Sequence, residues 1–252
     1  MNKNFQIVVA HYNNLNFFDV LSTINIDNTT IIYNKSNENI ENYSKTLSFN
    51  NILVKPLKNI GREGETYLHH IISNYDELSE YTLFIQDDTN NHIPNMSKFV
   101  EKTKQIIQAN IPVYQYETTW NQNEKITNRL IRNGRCGLST FSHDYVIRDA
   151  CEKLNIRLPS IYITPTCAFF ILHKSAIYKH SKDFYIQLRN WLLEDQENGY
   201  ILEHIWKLIF DSTNTGITKK KAPTLSLNDL VKKYELAANV IIKFMKKYVS
   251  TG

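Results

Sequence analysis

Cysteine is scarce in this chain and makes no pattern. Cys136, Cys151 and Cys167 are its only three in 252 residues. Their odd number and wide spacing argue against a disulfide scaffold and against a paired-cysteine zinc site, and unpaired thiols point to a reducing, cytoplasmic compartment. Long apolar runs are missing as well. The opening MNKNFQIVVAHYNN has no signal-peptide core, and no run approaches the roughly 18 apolar residues of a membrane span. Charge of one sign is not in excess either. A net charge of +4 permits attraction to phosphate or to an anionic membrane surface but lacks the dense basic stripe of a nucleic-acid binder, so no nucleic-acid partner is expected. No internal repeat is visible.

What is present is an ordinary folded core. Apolar residues make up 42% and aromatics 12% of the chain, enough to close one α/β domain with a short appendage. Phe5 to Ala10 is a β-branched run ending in His11-Tyr12-Asn13-Asn14, which reads as a central strand entering a polar loop. A helix is predicted over Asn16 to Thr23 and a second buried strand over Thr29 to Tyr33, and this order implies a parallel pair in an open sheet. Asn37 to Asn51 is polar and is left as helix or loop. Ile52 to Leu57 is a third strand, with Pro56 marking an edge or an end.

The stretch from Asn59 to Asp88 carries most of the chemistry. A turn at Asn59 to Gly64 leads into a helix from about Glu65 to Asn74. A strand from Tyr81 to Gln86 then delivers Asp87 and Asp88 at its carboxyl end, the edge where open α/β sheets bind ligands. Further on, a helix is predicted over Met96 to Ala109 and a strand near Ile111 to Tyr116. A polar loop over Trp120 to Gly137 gathers Arg129, Arg132 and Arg135. Asp144 to Leu154 reads as helix, Ser160 to Ile163 as extended, Cys167 to Leu172 as a buried strand, and Ser181 to Leu193 and Ile201 to Phe210 as two more helices. The composition shifts after Asp211. Residues 212–252 read as a linker followed by a basic amphipathic helix, capped at Ser226, whose apolar face suits docking on the domain, a homodimer, or peripheral contact at the inner face of a membrane.

The order of these pieces resembles the GT-A fold of nucleotide-diphospho-sugar glycosyltransferases over roughly the first half of the chain. Val8-Val9-Ala10-His11-Tyr12-Asn13, the strand end Tyr33-Asn34-Lys35-Ser36, the Asn59 turn and Gln86-Asp87-Asp88 carry that resemblance. A closer match is to a little-characterised family grouped with that superfamily and known by the block N-(I or V)-G-R-E-x-x-T-Y-L-x-H-I. Here the block is Asn59-Ile60-Gly61-Arg62-Glu63 with Thr66-Tyr67-Leu68 and His70-Ile71. The later pattern Gly199-Tyr200-Ile201-Leu202-Glu203, then Trp206 and Phe210, also matches. That family commonly continues Gln-Gly where this chain has Gln86-Asp87-Asp88.

The resemblance implies a GT-A-like open mixed sheet flanked by helices, in a catalytic domain of residues 1–211. It implies transfer of a sugar from a nucleoside-diphosphate donor to a glycan or lipid-linked acceptor. The alternative is an inactive, glycan-binding or assembly protein of the same fold. His11, Tyr12, Asn34, Asn59, Arg62, Glu63 and Asp87 are the implied donor-binding residues. Asp87 and Asp88 are the implied ligands of Mn²⁺ or Mg²⁺, which would take up charge on the diphosphate. From the dipeptide alone, adjacent acids at a strand end more often cap a loop. Glu203 is the implied general base, since an inverting transferase needs a carboxylate to deprotonate the acceptor hydroxyl. On its own it would be an ordinary helix-surface glutamate. His204 and Trp206 are candidates to line the acceptor pocket, although Trp206 suits the core equally. His69 and His70 are expected to pack on their helix.

Overall fold

The computed structural model describes residues 4–24, 28–38, 40, 51–93, 95–116, 129–132, 135–136, 144–165 and 167–211. The predicted C-terminal helix, and most of the predicted loop over Trp120 to Gly137, lie outside these residues. A six-stranded mixed sheet carries the fold, in the order β3-β2-β1-β4-β9-β5. Its strands are β1 (Phe5–His11), β2 (Asn28–Asn34), β3 (Ile52–Pro56), β4 (Tyr81–Gln86), β5 (Val113–Gln115) and β9 (Phe170–His173). The first four run parallel, and β9 runs antiparallel to both β4 and β5. This is the open, mixed, helix-flanked sheet that the sequence predicts, with β1 inside it and the Pro56 strand at an edge.

Parallel strands buried on both faces read as continuous apolar runs, and β1 does. Alternate residues then divide between two cores. Phe5, Ile7 and Val9 join Leu83 and Ile85 beneath α1 (Phe17–Ile24) and α4 (Met96–Gln108). Val8 and Ala10 join Phe84 and Phe170 against three helices on the other face: α2 (Arg62–Ser73), α7 (Lys182–Glu194) and α8 (Asn198–Phe210). A one-turn helix, α3 (Thr89–His92), follows β4, and another, α6 (Lys174–Ile177), follows β9. Among the described residues no helix is long and apolar enough to cross a membrane.

Two expectations need correction. Part of the predicted basic loop is strand: β6 (Arg129–Arg132) and β7 (Arg135–Cys136) pair antiparallel, and β6 pairs on its other side with β8 (Ile161–Thr164). Arg129-Leu130-Ile131-Arg132, two adjacent apolar residues between two basic ones, is too short and lacks the alternation that would make a strand stand out against its polar surroundings. The segment Asp144–Lys153 forms α5 beside this small sheet. The second correction is Trp206, proposed for the acceptor pocket. It is 1% exposed and stacked on Phe210 at 5.6 Å and 9°, with Phe170 at 5.2 Å and Tyr67 at 6.4 Å. No sugar reaches that indole; its work is to weld α8 to the sheet. His70 is also fully buried, and burial, followed by nearby Lys55 and His69, pushes its pKa down to about 3, so it packs as a neutral ring.

Truncating so large a buried side chain leaves a cavity that the surroundings only partly fill. Trp206→Ala should therefore destabilise the fold by about 3–5 kcal/mol, read as a lowered urea midpoint with an unchanged slope.

Candidate functional site

The chain leaves β1 toward β2 on one side and returns through β4 on the other, so the carboxyl ends of β1 and β4 flank a topological switch point. Asp87 closes that point. Its Oδ2 accepts from the backbone amides of Tyr12 at 2.7 Å and of Asn13 and Asn14 at 2.9 Å each. His11 Nδ1 lies 3.1 Å from the Asn14 carbonyl and 3.3 Å from the same Oδ2. Both neighbours only accept, so the Nδ1 position carries the proton. Burial works to raise the pKa of this carboxyl. The His11 contact first, then the three amides, outweigh it and hold the group below its ordinary range.

Asp87 and His11 thus shape the loop after β1. His11 is 0% exposed, which corrects its expected contact with a donor. Asp87 Oδ2 is committed to three amides, so any metal contact of this carboxylate would fall to its other oxygen, Oδ1. Asp88 is different. Its oxygens meet the side-chain amides of Asn14 at 3.2 Å and Asn91 at 2.8 Å, partners easily exchanged. Among the described residues no three His, Cys, Asp or Glu side chains converge as a metal set. The residues present fit a cation that brings most of its own ligands, as Mg²⁺ does on a diphosphate, with Asp88 as the protein carboxylate.

The Asn59 turn is held from beneath. Gly61 and Arg62 are both left-handed, at φ 59° and 54°. For glycine this conformation is free, and a Cβ there would come within 2.7 Å of Glu65 Cβ. For arginine it costs on the order of 1–3 kcal/mol and persists only when its surroundings over-determine it. Lys35, 4% exposed in its side chain, supplies the constraint: its Nζ donates to the carbonyls of Ile60 at 2.6 Å and Arg62 at 2.5 Å and lies 3.5 Å from Glu65 Oε2. Arg189 on α7 donates to the other Glu65 oxygen through Nε at 3.1 Å and Nη2 at 2.7 Å. Burial lowers the pKa of Lys35, and Glu65 opposes that shift.

This network was not read from the sequence. Lys35 sits where a solvated turn residue would; its partner Glu65 stands 30 residues further on, and Arg189, the other partner of Glu65, 154 (65 and 189 against 35). Glu65 itself lies inside the run Glu63 to Leu68, which is buried throughout.

Arg62 projects from that turn toward α8. Its Nη2 lies 3.7 Å from Glu203 Oε1, its Nε 3.6 Å from Glu63 Oε2, and its guanidinium 4.2 Å from the centre of the Tyr200 ring. Burial would lower its pKa, but Glu63, Glu203 and Tyr200 together raise it. Gly199 makes this approach possible: a Cβ there would stand 2.7 Å from Arg62 Cδ. Arg62 and Glu203 open onto a cleft of about 40 Å³ with Gln86, His92, Cys167, Ala168 and Phe169. The segment before β9 enters this cleft because Gln115 donates to the carbonyls of Pro165 and Cys167, both at 2.8 Å. His92 was not predicted for the site. It is one turn beyond Asp88 on a helix too short to show a period.

A second, broader groove of about 720 Å³ opens at the same sheet edge, over the ends of β1, β2 and β3. Tyr12, Asn34, Lys35, Lys58 and Asn59 are among its walls. Three of the expected donor residues, Tyr12, Asn34 and Asn59, are therefore brought together here; Arg62 lines the cleft, and Glu63 stands behind Arg62, 3.6 Å from its Nε. Asn34 is partly spent on its own loop, accepting from Ser36 N and Oγ and donating to the Glu38 carbonyl. His204 lies one residue beyond Glu203, with Nδ1 2.8 Å from the Tyr200 carbonyl, and is not part of the cleft wall. The side chains of Arg129, Arg132 and Arg135 lie outside the described residues.

Comparison with known proteins places the chain as follows. The model of a family described as "Protein of unknown function (DUF3431)" matches residues 8–224. No curated protein matches. Among solved structures, S. aureus TarS 1-349 in complex with UDP is similar at 12% identity and a TM-score of 0.45, over 80% of this chain and 55% of that one. The same fragment with UDP-GlcNAc gives 12% and 0.43 over 74% and 52%, and S. aureus TarS itself 11% and 0.39 over 78% and 33%. The chain spans about half the length of the TarS fragments.

Two measurements check the architecture of the site. Lys35→Met leaves Glu65 and the Ile60 and Arg62 carbonyls short of a buried donor and should cost about 3–5 kcal/mol by urea unfolding. For Asp87, the native pKa lies below the ordinary 3.8. Its stabilisation is therefore full above about pH 4 and lost as pH falls through the depressed native value. Asp87→Asn should lower stability at pH 7 by about 1.5–3 kcal/mol and flatten the decline below pH 4 in a pH series of urea titrations.

Proposed function

The chain belongs to the DUF3431 family, and for it we propose transfer of a sugar from a nucleoside-diphosphate donor to a hydroxyl of a glycan or lipid-linked acceptor. The observation that supports this reading is the pairing, at one sheet edge, of a groove of mixed polar and apolar lining, about 720 Å³ and so roomy enough for a nucleoside, with a cleft lined by one guanidinium and one carboxylate. The groove beside Tyr12, Asn34 and Asn59 takes the nucleoside. Arg62 takes the diphosphate, whose oxygens match its planar fork. Asp88 would hold a divalent cation bound to the diphosphate, and such an ion would supply stabilisation of the charge on the leaving group.

Glu203 is the base. In the inverting form of the reaction the acceptor O–H proton passes to the Glu203 carboxylate while the acceptor oxygen bonds to the anomeric carbon. The bond from that carbon to the donor phosphate oxygen breaks, and the electron pair leaves with the nucleoside diphosphate. The buried Asp87 knot keeps the loop after β1 in place beneath the donor.

The test is donor hydrolysis or transfer by purified protein across a panel of nucleoside-diphosphate sugars, UDP-GlcNAc included, with Mn²⁺ and with EDTA. Arg62→Ala should reduce the rate about 10²–10³-fold and Glu203→Gln about 10²–10⁴-fold, and Asp88→Ala should remove any dependence on Mn²⁺. A protein that binds no donor of the panel, or variants with unchanged rates, would overturn the assignment. Donor binding without turnover would favour the glycan-binding alternative.

A further inference from the structure

Arg62 and Glu203 are needed in different states if each does the work proposed above, and the structure holds them together. The base must offer an unencumbered carboxylate, yet Glu203 Oε1 lies 3.7 Å from the Arg62 guanidinium. The anion-binding guanidinium must face phosphate, yet it rests on Tyr200 between two carboxylates. Each group sits in the other's electrostatic field. The arrangement is built with care: Arg62 holds a left-handed backbone, Lys35 ties down its carbonyl, and Gly199 clears the space its Cδ needs.

We propose that the Arg62–Glu203 contact is a latch that a diphosphate opens. A diphosphate offers Arg62 more negative charge and a bidentate partner, so the guanidinium swings off Tyr200 and Glu203, and the freed carboxylate becomes a stronger base. Donor binding then precedes activation of the acceptor, and Glu203 does not activate water while the donor site is empty. This inference rests on the transferase reading. Tyr200 and Gly199 are positioning residues in it, because they act only through Arg62. The raised pKa of Arg62 keeps the guanidinium charged throughout.

The experiment needs no turnover. Inorganic pyrophosphate serves as the probe, followed by calorimetry and by NMR of the arginine side chains, with Arg62 assigned from Arg62→Lys. In the free protein the Arg62 Hδ signals should carry the upfield shift of a proton over an aromatic ring, and pyrophosphate should abolish it. Gly199→Ala pushes Arg62 out of its seat without altering any charge, and Glu203→Gln removes the competing carboxylate. Both should bind pyrophosphate roughly threefold to tenfold more tightly, the scale of one partly exposed ion pair released. If pyrophosphate binds and Arg62→Ala weakens it, but the Hδ signals stay shifted and Gly199→Ala binds as wild type, the latch is wrong while the anion site stands. If pyrophosphate does not bind, or binds equally to Arg62→Ala, the donor-site reading falls and takes the latch with it. Circular dichroism on each variant separates a misfolded protein from an informative one.

Discussion

Everything at the site hangs from the buried contact between Lys35 and Glu65. Two opposite charges out of water do not guarantee net stability, since desolvation offsets most of their attraction, and apolar residues of similar volume would often do as well. What apolar residues would lack is direction. Lys35 Nζ reaches two carbonyls of the Asn59 turn as well as the carboxylate, while Arg189 ties that carboxylate to α7. One ammonium group therefore joins the end of β2, the left-handed turn and the start of α2, and one guanidinium adds the helix behind them. The strain at Arg62 persists because these bonds fix the backbone on both sides of it.

The same economy recurs at Asp87. A carboxylate that accepts three consecutive amides makes a rigid loop out of Tyr12-Asn13-Asn14 and joins β1 to β4 beyond their ladder. Rigidity is what the next residue does not share: Asp88 is held only by side-chain amides. Two adjacent aspartates just past the end of β4 thus divide, Asp87 into the buried frame and Asp88, only partly buried, onto the side chains of Asn14 and Asn91.

That division marks the limit of what the residues disclose in order. The strands were legible wherever a run of β-branched or aromatic residues stood between polar turns, as in FQIVVA and YTLFIQ, and their order in the chain carried the open sheet. Helix starts were less so: α2 begins at Arg62 and α8 at Asn198, each three residues before the start predicted, because Gly64 and Gly199 look like turn residues and instead lie inside their helices, where a Cβ would meet Leu202 and Arg62. Asp87 and Asp88 are identical in sequence terms, and only the fold of the loop after β1 separates their roles. Trp206 carried two readings that composition does not separate; burial by Phe170 and Phe210 decides for the core. Lys35, Glu65 and Arg189 gave no signal, since a buried ion network depends on partners that only tertiary structure brings together.

The reversed direction of β9 has a consequence for how the molecule is assembled. A strand parallel to its neighbours brings to this edge only the loop that follows it; an antiparallel one brings the loop that precedes it, and so Cys167 and Ala168 enter the cleft from the second half of the chain. The groove is lined by residues 12 to 59, with Asp87 and Glu65 holding two of its walls from further along the chain. The cleft waits for residue 203. The two are therefore drawn from different spans of the chain: the groove is lined from the first quarter alone, whereas the cleft needs Arg62 and Glu203, 141 residues apart (203 against 62), to meet, which closes much the longer loop.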